Sequence, residues 1–316
     1  MINIFSSGFL LQNSFFQECG INLHSDTSIN SDFVIFNEKS LQQFNDYCDV
    51  YSIPKNNGKL LDKFLVNTIY QKYGLSIPNT LKPVTIQDIQ NINWPGDLIL
   101  KPVISYGGRA YDSSPISQIS YKKITKQTLL EVIEIDSNFW LNQQTDKHYI
   151  IQEFIEPTEN TNHEVLILYG AINGVGNVYN ANPSVGNKSI NSFGFSTSVN
   201  SWCQENLTEE ILNIQNKVNT MLIEEGVRNA FFNIQFIKKE NNFVAHDFQY
   251  RFGYQELALS NNFNYTDYLL DLIKFTFDIS DKKPVQPFVT VMKLSGAKTF
   301  SSGSTKEEAL VSLSNE

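Results

Sequence analysis

The chain has 316 residues, enough to bury a large core and to form two or three lobes rather than one small domain. Hydrophobic residues make up 41% and aromatics 13%, against 18% charged, which excludes an intrinsically disordered chain. The formal net charge is -9, from 24 basic and 33 acidic residues, which excludes a general electrostatic footprint for nucleic acid or an anionic membrane; a polyanionic ligand has to be held by a local site.

The opening residues, MINIFSSGFLLQNSFFQECG, lack a basic n-region and a small-residue cleavage site, and no apolar run approaches the ~18 residues of a membrane span. A cytoplasmic protein is expected. Residues 2–5 (INIF) and 32–36 (DFVIF) read as short buried strands. The apolar-periodic stretch Phe9 to Phe16 separates them, and Leu41, Phe44 and Tyr47 follow at helical spacing. Together they predict a small βαβ-like entry lobe over 1–54. Pro54 and Lys55-Asn56-Asn57-Gly58 read as a linker. A helix is expected next, with Leu61, Phe64, Leu65 and Ile69 on one face, ending at Tyr73 with Gly74 in the C′ position.

From residue 97 the pattern turns strand-like: DLILKPV, then the glycine-bearing loop SYGGRAYDSS, then a polar helix around 125–135. Further strands are expected at YIIQEFI (149–155), EVLILYGAI (164–172) and NGVGNVYN, before a Gly/Asn/Ser-rich segment at 180–201. Thr208 caps a helix that carries Glu209 and Glu210 in its first turn and Ile211, Ile214, Val218 and Leu222 on its apolar side; Gly226 closes it. After FFNIQFIKKENNFVAHDFQYRF comes a helix from about Tyr265 to Phe277, and residues 281–316 hold one strand, FVTVMKL, and a polar tail. Cys19, Cys48 and Cys203 are far apart and outside CxxC or Cys/His spacing, so they predict reduced, packed thiols. The four histidines show no paired metal spacing, and no GxSxG occurs.

In 231–252 two strands alternate strictly, so residues two apart share a face. Phe232, Ile234 and Phe236 point one way and Asn233 and Gln235 the other; likewise Phe248, Tyr250 and Phe252 oppose Asp247, Gln249 and Arg251. A short hairpin loop at Glu240-Asn241-Asn242 would set Gln235 across from Asp247 and Asn233 across from Gln249. A half-solvated antiparallel sheet accounts for such alternation. A solvent face, however, usually carries Lys, Glu and Thr, whereas short amides and a carboxylate beside an arginine offer oxygen ligands for a hard cation and a clamp for anions. Lys101, in a strand just ahead of Gly107-Gly108, is compatible with an edge-guarding lysine or with a phosphate-holding one whose loop completes the cradle. That loop is neither GxxxxGK[ST] nor GxGxxG, so P-loop and Rossmann patterns are absent.

In order and spacing these segments resemble the ATP-grasp superfamily, in its carbamoyl-phosphate-synthetase-like and carboxylate–amine ligase branches, over about residues 55–280. The resemblance implies an α/β (α+β) fold, with two α+β lobes clasping ATP behind the short entry lobe. The N-lobe with its glycine-rich flap would span 55–145, the C-lobe with the Mg/phosphate site 146–280, and a C-terminal strand and tail 281–316. LLDKFLVNTIYQKYGLSIPNT resembles the helix entering that fold, where Lys63 would reach nucleotide phosphate. LILKPVISYGGRAY resembles the strand and flap, making Lys101 the phosphate lysine beneath Gly107 and Gly108. IIQEFIEPTENTNHEV resembles the interlobe hinge: Gln152, Glu153 and the backbone of Ile155 would meet adenine, Phe154 would belong to the same cofactor-binding segment, and Glu159 would be placed for the ribose hydroxyls. NIQF and DFQYR resemble the metal-binding strands, with Gln235, Asp247 and Gln249 as ligands and Arg251 steadying the transferred phosphoryl group.

The family usually has Glu at the Asp247 position and Asn at the Gln249 position, so here the acid is one methylene shorter and the amide one longer. With a neutral Gln235, Asp247 is the single anionic ligand. The implied activity is ATP-dependent joining of a small-molecule carboxylate and amine through an acyl phosphate, with ATP and Mg²⁺ (or Mn²⁺) required, no nucleic-acid or membrane partner, and a homodimer left open. Lys188, Phe193, Ser196, Thr197 and Tyr254 lie in segments that often border the acceptor pocket of such folds. Two alternatives stay open: a nucleotide-binding regulatory or partner subunit without turnover, and an acyl-phosphate enzyme with a thiol, ammonia or carbamate-type acceptor.

Overall fold

The computed structural model describes residues 2–6, 21–24, 26, 28–29, 33–35, 59–104, 111–145, 147–156, 162–190, 196–204, 207–250, 266–285, 289–295 and 297–303. Three sheets organise them. The first is parallel, with β1 (Ile2–Ser6) between β2 (Ile21–His24) and β3 (Phe33–Ile35), in the order β2-β1-β3. The expected entry lobe thus has a third strand, β2. The segments from Phe9 to Phe16, around Leu41, Phe44 and Tyr47, and at Pro54–Gly58 lie outside the described residues.

A small sheet follows, in the order β4-β7-β5-β6, from β4 (Thr80–Leu81), β5 (Leu98–Pro102), β6 (Lys123–Ile124) and β7 (Tyr149–Glu153). Its core side carries Leu98, Leu100, Tyr149 and Ile151, packed on Ile89 of α2 (Ile86–Gln90), Ile116 of α3 (Pro115–Ile119), Leu129 and Ile133 of α4 (Lys126–Ile135), and Phe139 of α5 (Phe139–Asn142). Buried Tyr149 shares a 2.7 Å bond with Ser117 Oγ, and burial pushes its phenol up to about 12.

The large sheet runs β13-β12-β8-β10-β11-β14-β15, with β9 attached to β8. Its strands are β8 (Asn162–Ile172), β9 (Val178–Asn180), β10 (Ser184–Ile190), β11 (Ser196–Gln204), β12 (Ala230–Lys239), β13 (Asn242–Gln249), β14 (Val289–Ser295) and β15 (Ala297–Gly303). The Gly/Asn/Ser-rich segment at 180–201 therefore contains two strands that its composition does not announce. The C-terminal strand pairs with β11 and is joined by a partner, β15, so residues taken for a polar tail extend the same sheet.

One face of β8, β12 and β13 is covered by two helices. Val66 and Tyr70 of α1 (Lys63–Lys72), with Ile211, Val218, Met221 and Leu222 of α6 (Glu209–Glu224), share a core with Leu166, Leu168, Phe232, Ile234, Phe236 and Phe248. Helix α1 begins at an Asp62 cap and ends against Gly74 at φ +69, a backbone state that favours glycine. Its inward face is Val66, Asn67 and Tyr70; Leu65 is exposed, and Phe64 and Ile69 are only half-buried, which corrects the face expected from apolar spacing. The reason is a buried amide: Asn67 Nδ2 donates to Thr80 Oγ1 at 3.1 Å, tying the helix to β4. A further helix, α7 (Thr266–Thr276), packs near β8.

Candidate active site

The helices cover one face of the β8–β12–β13 ribbon, so alternate side chains emerge on the other. Asn233 lies opposite Gln249 and Gln235 opposite Asp247, the register that the hairpin pattern predicts. Between Gln235 and Phe236 the register slips, and His246 becomes an extra residue of β13. Before this bulge Phe243 and Ala245 enter the core; after it Phe248 and Tyr250 do. The phase jump sets both His246 and Asp247 on the face away from the helices. The signal was present in the sequence, since the apolar positions change from odd to even numbers across His246 and Asp247.

The ribbon face is graded. Toward one end Val165, Ile237 and Val244 form a small apolar cluster with Ile155, the residue that follows β7 and Phe154. Next along the strands come Gln235 and Asp247, then Asn233 and Gln249. Gln249 Nε2 donates to Asp247 Oδ2 at 2.8 Å. Asn233 is buried, and its Oδ1 has no hydrogen-bond partner, an oxygen donor left open beside the carboxylate. One carboxylate and three amides match the hard oxygen chemistry that Mg²⁺ or Mn²⁺ requires. Within this set Asp247 is the carboxylate and Gln235, Asn233 and Gln249 are neutral amides. Behind it Tyr70 is fully buried in the helix-side core; burial first, and the Asp247 charge second, hold its phenol protonated well above the usual range.

The small sheet meets this face. Leu98, Leu100, Tyr149 and Ile151 occupy the lobe core, so Lys101, Ile150 and Gln152 point the other way. Lys101 is 3% exposed, and its Nζ lies 3.2 Å from His246 Nδ1. An ammonium has donors only, and an unprotonated Nδ1 can accept from it. Lys63 opens α1, and its backbone N–H donates to Val103 O at 3.0 Å, which pins the helix start just beyond Lys101. Both lysines therefore belong to the same end of the small sheet.

The hinge residues divide. Gln152 Nε2 donates to Thr80 Oγ1 at 3.0 Å, and its buried Oε1 has no partner, a second acceptor left open. Glu153 accepts from Asn79 Nδ2 at 2.8 Å and pairs with Lys239 of β12, so its carboxylate joins the small sheet to the large one. The N–H groups of Glu153 and Phe154 go to the carbonyls of Asn79 and Asp97. Phe154 and Ile155 are buried. Of the remaining expected residues, Gly107, Gly108, Glu159, Phe193, Arg251 and Tyr254 lie outside the described residues. Lys188 sits at an irregularity of β10, opposite His163 of β8, and Ser196 and Thr197 begin β11; their backbones are described and their side chains are not. Two features are not expected from the sequence: His246, and the apolar cluster around Ile155.

No protein-family model and no curated protein sequence matches the chain. Solved structures do. An L-amino acid ligase from Bacillus licheniformis superposes with a TM-score of 0.58 at 13% identity, over 94% of this chain and 81% of that one. The N5-carboxyaminoimidazole synthetase from Staphylococcus aureus complexed with ADP gives 0.63 at 10% identity, over 92% and 81%. The D-alanyl-alanine synthetase A from Vibrio cholerae gives 0.56 at 13% identity, over 89% and 99%. At these identities the likeness is one of fold: this chain has the ATP-grasp fold.

Proposed function

We propose that the chain is an ADP-forming ligase that activates a carboxylate with ATP and joins it to an amine, with an amino acid or small peptide as the substrate class. The observation that supports this best is the meeting of Lys101 with the face that carries Asp247, Gln235, Asn233 and Gln249. A buried lysine held there offers a cation to phosphate oxygens, and Lys63 and Arg251 would add two more. The apolar cluster of Ile155, Val165, Ile237 and Val244 suits a purine ring, and the open Gln152 Oε1 suits an amino group on such a ring. The ADP bound in the S. aureus structure, and the amide-forming names of the B. licheniformis and V. cholerae proteins, point the same way.

In this reaction the substrate carboxylate attacks the γ-phosphorus, ADP leaves, and the amine nitrogen then displaces phosphate from the acyl phosphate. The protein positions the reactants and offsets charge, since phosphoryl transfer needs little covalent help. Lys101 and Lys63 would hold phosphate oxygens, and Arg251 would steady the transferred group. The flap with Gly107 and Gly108 would exclude the water that would hydrolyse the intermediate. Asp247, Gln249 and Gln235, with Asn233 adjacent, would be the oxygen donors that hold Mg²⁺, which would supply positive charge to offset that of the phosphates.

A second reading, a nucleotide-binding partner subunit without turnover, follows from a donor set in which Asp247 is joined by the neutral amides Gln235, Asn233 and Gln249. Incubation with ATP, Mg²⁺ and the proteinogenic amino acids, analysed by mass spectrometry, separates the two. Condensed products with equimolar ADP are expected. Nucleotide binding without ADP release would overturn the ligase, and products built on a thiol or ammonia would move the acceptor class.

A further inference from the structure

One hydroxyl on the small sheet is the centre of a closed set of hydrogen bonds. Thr80 of β4 lies across from Gln152 of β7, so their side chains share a face, the one away from the lobe core into which Leu81 and Ile151 pack. Thr80 Oγ1 donates to Pro78 O at 2.9 Å, accepts from Asn67 Nδ2 of α1 at 3.1 Å and accepts from Gln152 Nε2 at 3.0 Å. A hydroxyl has one hydrogen and two lone pairs, so all three are in use. The consequence falls on Gln152, whose amide could present either its NH₂ group or its oxygen to a neighbour. With the Thr80 hydrogen held by Pro78 O, the hydroxyl can only accept from Gln152, which puts Nε2 toward β4 and turns Oε1 away from it. Gln152 is buried, and Oε1 has no hydrogen-bond partner. A buried carbonyl oxygen without a donor is costly, and a ligand N–H would remove that cost.

We propose that Thr80 is a positioning residue for base selection: by holding Gln152 as an acceptor, it makes the site select a purine with an amino group at C6 over one with an oxygen there. A 6-amino group donates to Oε1, whereas a 6-oxo group sets acceptor against acceptor in a buried place. This rests on the nucleotide-binding reading above and deepens it. The apolar cluster that includes Ile155, three residues beyond Gln152, is the second observation that carries it, because it offers apolar surface for a ring beside the same end of β7.

The test reads selectivity rather than affinity, on the intact chain. Binding of ADP and of IDP, each with Mg²⁺, is measured by calorimetry for wild type, Thr80→Val and Thr80→Ser, with thermal unfolding as the folding control. Valine keeps the shape and removes the hydroxyl, which frees the Gln152 amide to reverse; serine keeps the hydroxyl. Wild type should prefer ADP by at least ~30-fold, Thr80→Val should bring the two nucleotides to within about threefold of each other, and Thr80→Ser should restore most of the preference. A loss of packing alone would weaken both nucleotides and leave their ratio unchanged. Equal affinity of wild type for ADP and IDP, or an undiminished preference in Thr80→Val, would overturn the assignment while leaving the nucleotide reading intact. A wild-type chain that binds neither nucleotide would overturn both.

Discussion

Two carboxylates show how the same group serves different ends in this molecule. Glu225, at the C-terminal end of α6, receives Lys59, Lys72 Nζ at 2.6 Å and Tyr73 Oη at 2.9 Å. Hydrogen bonds from Lys59 and then Lys72 hold its carboxyl at about 2. Its donors come from the segment leading into α1 and from the end of that helix, so its charge closes a junction between distant parts of the chain. Asp247 lies on the sheet face that the small sheet meets, with Gln249 of its own strand as donor. A carboxylate ringed by cations is consumed by architecture; one accompanied by neutral amides keeps its field for something else.

Substitutions that exchange charge for shape sharpen this contrast. Asp247→Asn should lower Mg-dependent ADP release at least ~100-fold with little change in the unfolding midpoint, read by coupled-enzyme kinetics and calorimetry. An activity loss matched by equal destabilisation would make Asp247 structural instead. Glu225→Gln should do the reverse, costing about 1–2 kcal/mol in urea unfolding while steady-state constants stay within about twofold.

The Glu225 junction also has a pH signature. The folded carboxyl is held below its ordinary value of 4.5, so its stabilisation is fully present above that value and is lost as pH falls toward about 2. Acid unfolding of wild type should be correspondingly steeper between those limits than that of Glu225→Gln; parallel curves would remove Glu225 from the acid response. The smallest effect belongs to Lys72→Met. That lysine is 60% exposed, and its loss should leave the unfolding midpoint within measurement error because Lys59 and Tyr73 still serve Glu225.

How much of this was legible in sequence depended on whether a segment carries its own pattern. The pairing of Asn233 with Gln249 and Gln235 with Asp247 follows from the alternation of Phe232, Ile234 and Phe236 and of Phe248 and Tyr250, and the helix capped by Thr208 follows from its cap and acidic first turn. Strands β10 and β11 were not legible because Gly, Asn and Ser carry no periodicity; pairing to β8 and β14 defines them. The inward face of α1 differs from its apolar spacing because Asn67 is buried with its bond to Thr80, a partner thirteen residues away that no helical spacing reports. The Lys101–His246 contact joins residues 145 apart on different sheets, and it needed the fold before it could be seen.

One dislocation in a single strand has a consequence for chemical spacing. On a regular strand, neighbours on the same side are separated by two steps, roughly 6.5–7 Å. Sequence neighbours are ~3.8 Å apart at Cα, so where His246 and Asp247 emerge together, their Cα atoms stand at about half the usual pitch. A sheet is ordinarily a coarse grid for arranging functional groups; at this one point the grid is twice as fine.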